Sequence, residues 1–406
     1  MPEAVIVSTA RTPIGRAFKG SLIEMRPDDL AAIAVKAALA KVPNLDPSAV
    51  EDLMLGCAQP AGEHGYNMGR VVSLLSGLDS PGTTVNRYCS SSLQTIRMAA
   101  HAIKAGEGDV FVAAGVECVS RFGFGKSDGM DNTKNPKFAE SEERMAKLMT
   151  PDGGNWEPTG GLANVYITML QTAENVAQYM AVSREDQDEF AALSQQRAEA
   201  AQKSGHFAEE ITPVTTPSGN VVDADDCPRH GTTAEKLAGL KPVLLGQMGD
   251  RATVTAGNAC PLNDGAAAVV VMSDTRAKEL GITPLARVVS TGVSALNPEI
   301  MGLGPVDATK QALGRAGLTI KDIDLVEINE AFAAQVIPSA RELGIPGDKL
   351  NVNGGAIALG HPFGQTGARI MTTLIHNLQS RDGRYGVETM CVGGGQGMAA
   401  VIERLG

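Results

Sequence analysis

Hydrophobic and polar positions change period repeatedly along the chain. AVIVSTA is a short β-rich run near the start, and VEDLMLGCA and DVFVAAGVE are apolar runs bounded by glycine. Runs of this kind predict buried strands. DDLAAIAVKAALAKV repeats its apolar residues at helical spacing, with Asp28 and Asp29 near the positive end of the predicted helix. SSLQTIRMAAHAIKAG does the same through Leu93, Ile96, Ala100 and Ile103, and Gly106 can end it. Strands alternating with helices of these lengths predict an α/β fold whose sheet is mainly parallel and covered on both faces.

The pattern occurs twice. LAKVPNLDPSAVEDLMLG, residues 39 to 56, and LGRAGLTIKDIDLVEIN, residues 313 to 329, each present a helix end, a turn and an acidic-started strand. An internal duplication is therefore expected. Between the two copies the alternation is lost in stretches such as KSDGMDNTKNPKF and TPDGGNWEPTGG. One clear helix, SREDQDEFAALSQQRAEAAQKSG, opens on Ser183 and closes at Gly205. Residues 123–249 are expected to form an inserted loop domain. It would be carried on an N-terminal half of residues 1–122, continued by 250–283, with a C-terminal half over 284–406.

Composition narrows the function. A chain of 406 residues is long enough for two or three domains. With 46 glycines and 4% aromatics, the interior must be built from small residues with close backbone approaches. A net charge of −11 argues against a nucleic-acid surface but not against a local site for an anionic small ligand. The longest apolar runs, such as Ala266 to Met272, are too short to span a bilayer, so no membrane insertion is expected. MPEAVIVSTARTPIG reads as a strand and turn rather than a secretory leader. The six cysteines are widely spaced, with no CxxC and no HExxH. Free thiols in a reducing, cytoplasmic setting and no metal site are expected.

Four stretches could carry chemistry. In VNRYCSSSLQ, Cys89 lies where a strand hands over to a helix start, whose N–H groups and dipole favour an anion and lower a thiol pKa. An unperturbed thiol is only about 3% ionised at pH 7. On this stretch alone a buried spectator thiol is the better reading, and the three serines look like small neighbours that leave room around the sulfur. In NVNGGAIALGHPFGQTGAR, His361 stands in a glycine-rich turn where backbone can approach a ligand closely. In VETMCVGGGQGMAAVIERL, Cys391 precedes three glycines. A dinucleotide reading fails there, because GGGQGM lacks the last glycine of GxGxxG. In EINEAFAAQ, Asn329 closes a strand before a helix.

Taken together, VNRxCxSS, NEAFA, GGAIALGHPxGxTGxR and CxGGGxG stand here in an order and at separations that resemble the thiolase family, over essentially the whole chain. The resemblance implies a duplicated, layered αβαβα fold with an inserted loop domain. It implies that Cys89 attacks a 3-ketoacyl-CoA and becomes acylated, and that His361 accepts the thiol proton. With a water held by Asn329, His361 would also stabilise the thioester oxygen. Cys391 would be the second acid and base. The backbone N–H groups of Cys89 and Gly393 would form another oxyanion site. Substrates would be CoA and acyl-CoA with no tightly bound cofactor, and the protein would be a homodimer or homotetramer.

The resemblance also puts Arg229 at the nucleotide part of CoA, and Met169, Ala256 and Cys260 along the pantetheine tunnel. Thr168 stands where dedicated acetoacetyl enzymes often carry His. Leu170 stands where Gly is usual, and Cys260, followed by Pro261, where Ser is. Thr168 points to degradative or broad-range use, as in fatty acid β-oxidation. Two other readings are a thiolase-like ketoacyl synthase, which pairs its cysteine with two histidines, and a non-catalytic lipid carrier. Cys391 speaks against the first, and the joint presence of Cys89, His361 and Cys391 against the second.

Overall fold

The computed structural model describes residues 2–122, 126 and 128–406. Gly123, where the inserted segment was expected to begin, lies outside the described residues. The first half runs β1 (Ala4–Arg11), α1 (Pro27–Ala40), β2 (Asp52–Gly56), α2 (Met68–Leu75), β3 (Gly82–Val85), α3 (Ser91–Ala105) and β4 (Val110–Cys118). Three longer helices follow, α4 (Ala139–Leu148), α5 (Met169–Tyr179) and α6 (Arg184–Lys203), before β5 (Asn263–Ser273) completes the half. The second half runs β6 (Ala286–Ala295), α7 (Gly304–Ala316), β7 (Leu325–Ile328), α8 (Ala333–Leu343), a short α9 (Ala356–Leu359), α10 (Thr366–Ser380), β8 (Tyr385–Val392) and β9 (Gln396–Arg404). The duplication is visible element by element. The counterpart of β3 has shrunk to a single parallel bridge between Val326 and Leu350.

The strands lie in the order β7-β8-β9-β6-β1-β5-β4-β2-β3, so the two halves mirror each other about β6 and β1. That junction is slight, two residue pairs, Val5 with Arg287 and Ile6 with Ala286. The sheet is mixed, not mainly parallel. Only β2–β3, β2–β4 and β7–β8 are parallel, while β5 and β9 run antiparallel to their neighbours. In the second half the reason is local. β8 and β9 are joined by Gly393–Gly395 with no helix between them, and so short a link permits only an antiparallel hairpin.

Alternation along β5 shows how the layers form. Ala266, Ala268, Val270 and Met272 face a core with Leu30 and Val35 of α1 and Val72 of α2. Ala267, Val269 and Val271 face the opposite core, which holds Leu93 and Ile96 of α3, Met371 and Leu374 of α10, and Met398 and Ala400 of β9. Ala308, Ala312 and Val336 of α7 and α8 cover the far side of the second half against Val387 and Val401. The result is helix, sheet, helix, sheet, helix, with α3 and α10 in the central layer. The two central helices meet closely: a Cβ on Gly367 would lie 2.2 Å from the Leu93 nitrogen.

The middle segment is anchored to the second half through Glu299, which is fully buried. Its carboxylate accepts from Trp156 Nε1 at 2.7 Å and the Asn164 N–H at 2.8 Å, and pairs with Arg144. Ser183 opens α6 with a capping box to Asp186, and Thr168 opens α5 with one to Gln171. Among the described residues no helix is long and apolar enough to cross a membrane, and no cluster of metal-ligating side chains occurs.

Candidate active site

Cys89 sits in a single tight turn, Tyr88–Ser90, between β3 and α3. Tyr88 holds a φ of 44°, uncommon for a bulky side chain, and so turns the chain sharply at the residue before the thiol. The serines hold this turn in place rather than leaving space around it. All three are fully buried. Ser90 Oγ donates to the Arg87 carbonyl at 3.1 Å. Ser91 Oγ accepts from the Arg87 N–H at 2.9 Å and donates to the Tyr88 carbonyl at 2.7 Å. Ser92 Oγ accepts from the Ala368 N–H at 2.9 Å, tying the start of α3 to the first turn of α10.

The helix start does not yield an ionised thiol. Burial dominates and pushes Cys89 up to about 12, although N–H groups of Gly393 and of Cys89 itself pull the other way. His361 is also neutral: burial, and then the Arg369 charge, lower it to about 3. Its Nδ1 lies 2.6 Å from Thr366 Oγ1, whose hydroxyl donates to the Pro362 carbonyl at 2.8 Å. Nδ1 is therefore the donor, and Nε2 keeps the lone pair, 3.3 Å from Asn329 Nδ2. With both groups held in their neutral forms by burial, reaction at the sulfur calls for a base to take the thiol proton.

The second half supplies the rest. Asn329 follows β7 and is fixed by its N–H to the Thr389 carbonyl at 3.0 Å, while its buried Oδ1 has no partner among the described residues. Cys391, near the end of β8, is completely buried and packs with Met301, Ala331 and Phe332. Burial holds its thiol well above the usual range, and the nearby Cys89 and Cys260 sulfurs add to this. Gly393–Gly395 then reverse the chain; φ values of 77° and 76° at Gly394 and Gly395 suit glycine.

Cys89 and His361 share a cavity of about 320 Å³. Met169, Ala256 and Cys260 line the same cavity, as does Leu170. Arg229 does not: it is exposed, and its backbone N–H donates to Gln195 Oε1 at 2.7 Å.

Several residues that the sequence did not single out hold these groups in place. Glu330 is buried and accepts from Ser194 Oγ at 2.6 Å, Asn351 Nδ2 at 2.8 Å and the Ile357 N–H at 3.1 Å. It thereby ties the Asn329 strand to the loop that leads to His361. Asn263 Oδ1 accepts from the His361 N–H at 2.8 Å, and its amide donates to the Gly15 carbonyl at 3.0 Å. Glu117 accepts from the N–H groups of Ala58 at 2.9 Å, Gly364 at 3.0 Å and Gln59 at 3.2 Å, joining the two halves behind the turn of His361. For Glu117 the available signal was a carboxylate inside an otherwise apolar strand, VFVAAGVE, whereas Glu330 stands two residues past the end of β7.

Comparison with known proteins decides the family. Models of the thiolase N-terminal and C-terminal domains match residues 4–275 and 282–404. The chain belongs to the thiolase family. Among curated thiolases it is 46% identical over 416 residues to the 3-oxoadipyl-CoA/3-oxo-5,6-dehydrosuberyl-CoA thiolase of Escherichia coli K12, covering 100% of both chains. It is 44% identical to a 3-ketoacyl-CoA thiolase of Bacillus subtilis, covering 99% of this chain and 100% of that one. The crystal structure of the Bacillus anthracis acetyl-CoA acetyltransferase superposes with a TM-score of 0.85 at 37% identity, covering 100% of this chain and 99% of that one. This thiolase is thus an acyltransferase of CoA thioesters with the layered thiolase fold. Of its departures from the family pattern, Thr168 has a structural task, capping α5, and Leu170 and Cys260 both face the cavity.

Proposed function

We propose that this thiolase cleaves 3-ketoacyl-CoAs with neutral, apolar acyl chains, and runs the reverse condensation of acetyl-CoA, through an acyl group on Cys89. The observation that carries the reading is the shared cavity of Cys89 and a neutral His361 whose lone pair is on Nε2. As the Cys89 sulfur bonds to the 3-keto carbon, its proton passes to His361 Nε2, and the new alkoxide needs donors. The N–H groups of Cys89 and Gly393 are placed near that sulfur. Collapse of the alkoxide breaks the C2–C3 bond and leaves an acetyl-CoA enolate, which takes a proton at C2 from Cys391. His361 and a water on Asn329 stabilise that enolate oxygen. CoA then gives its thiol proton to Cys391, attacks the acyl carbonyl, and releases Cys89, which recovers its proton from His361.

The acyl preference rests on the lining of this cavity, which would take the acyl chain on Cys89 as well as the end of the pantetheine arm. Among the described residues it holds Leu170, Leu262, Met301 and Phe332 and no Lys, Arg, Asp or Glu. The Escherichia coli relative is named for dicarboxylic acyl chains. Here a distal carboxylate would be buried without a partner, at a cost of several kcal/mol. Thiolysis of 3-oxohexanoyl-CoA should therefore exceed that of 3-oxoadipyl-CoA by roughly 100-fold in kcat/KM. Equal rates would refute the neutral-chain reading. Degradation, as in fatty acid β-oxidation, fits such substrates. Six free cysteines support a reducing, cytoplasmic location. A homodimer across the edge strand β3 is supported by the neighbouring exposed Leu74 and Leu75.

A further inference from the structure

A second cavity, about 400 Å³, lies away from Cys89 between α3, β6 and α7. Its basic lining consists of Arg97, His101, Lys104 and Arg315, beside Val289, Ser290 and Thr291. Arg97, His101 and Lys104 lie at helical spacing on one face of α3, and Arg315 reaches over from the last turn of α7. None of the four takes part in a salt bridge among the described residues. Lys104 donates to the carbonyls of Val288 at 3.2 Å and Val289 at 3.4 Å, and Arg315 to that of Thr291 at 2.6 Å. Arg97 makes one long bond to Gln94 Oε1 at 3.4 Å, and its buried Nε has no partner among the described residues.

The cations are thus propped on neutral carbonyls and an amide, and their charge is not cancelled. Their neighbours make matters worse: Arg87 and Arg315 act on Arg97, and Arg97, Lys104 and Arg315 act on His101. Lys104 and Arg315 each stand in the last turn of a helix, where a cation is favoured. Arg97 does not, and clustered cations in a protein of net charge −11 need a reason.

We propose that this cavity is a binding site for a small, multiply charged phosphate-type anion, separate from the acyl-transfer site. Arg97 and Arg315 are the forked donors for its oxygens, and Lys104 is a point charge at the rim. His101 is shifted below the ordinary imidazole value by partial burial and then by the charges of Arg97, Lys104 and Arg315, so an anion among these cations would favour its protonated form. Binding is therefore linked to protonation of His101.

The test reads the site without using catalysis. The full-length protein, labelled with ¹³C-histidine, is titrated with pH in the presence and absence of inorganic pyrophosphate, with His101→Gln assigning the resonance. Saturating pyrophosphate is expected to raise the His101 pKa by about 1 unit. ADP separates a nucleotide ligand from a free phosphate: the proposal expects pyrophosphate or ADP to produce the shift, and the better one names the source. In Arg97→Gln/Arg315→Gln the shift should vanish and pyrophosphate affinity should fall at least about tenfold, with circular dichroism and thiolysis unchanged. The proposal is overturned if neither ligand moves His101, or if sodium chloride at equal ionic strength moves it as far. Equal pyrophosphate binding by the double variant overturns it too, and so does a shift produced only by a Glu-rich peptide.

Discussion

Glu330 shows how much of this site depends on a residue that touches no substrate. Its two oxygens receive three donors from α6, from the Asn351 loop and from the start of α9. Glu330→Gln keeps the shape but replaces one acceptor oxygen with a donor, so at least one of these bonds is lost. A stability loss of about 1–3 kcal/mol is expected in urea unfolding. A lower kcat should accompany it, because Asn329 and the His361 loop lose their common anchor. The residues proposed to carry the chemistry call for sharper outcomes. Cys89→Ala should fold normally yet gain no acetyl mass on incubation with acetyl-CoA; label retained on that variant would remove Cys89 as nucleophile. Cys391→Ser should still acquire the acetyl group at Cys89 while losing most turnover, because a hydroxyl is a poorer proton shuttle than a thiol. At this scale the four motif side chains drew notice in the sequence because glycines and small residues mark their turns, and their proposed roles rest on the experiments above. Their supports were not: the bond from His361 to Asn263 spans 98 residues, and that from Ser194 to Glu330 spans 136. No local pattern announces a partner at that separation.

At the scale of elements, hydrophobic period located the strands and helices, and Gly106 ends α3 with a φ of 78°, as its position suggests. Period does not carry strand direction. Ala266 to Met272 is apolar on both faces, and a run of that kind fits a parallel or an antiparallel neighbour equally well. The turn before His361 is less forgiving than the strands. Gly360 has a φ of 108°, and a Cβ there would lie 2.7 Å from Ile14 Cγ2 and 2.8 Å from the Asn263 side chain. Gly360→Ala must therefore shift the backbone that carries His361 or displace Asn263, which holds the His361 N–H. Activity is expected to fall by at least roughly 100-fold with the far-ultraviolet circular dichroism retained. A variant with unchanged kcat would show that the turn is not positioned by this contact.

Across the whole molecule, the central layer carries ionisable groups that a purely apolar interior would not. Arg369 of α10, Glu327 of β7 and Glu388 of β8 are all buried, and both oxygens of Glu388 lack partners among the described residues. Glu327 accepts from Asn377 Nδ2 at 3.0 Å, yet burial still raises it to about 8, against the opposing pull of Arg369. The sign of the consequence follows from linkage. The unfolded chain releases this proton near the ordinary glutamate value of 4.5, while the folded protein holds it until about 8. Over that window the folded state binds more protons, so this group makes the protein less stable as pH rises, with no further loss above about 8. Glu327→Gln removes the titration and keeps an oxygen to accept from Asn377. The variant's urea midpoint should lie close to that of the unaltered protein at pH 5. It should pull ahead steadily toward pH 8, with the gap constant beyond. A gap that is flat across the window would mean that Glu327 is already ionised in the folded protein and paired with Arg369, and the central layer would then be held by a buried ion pair rather than a neutral acid.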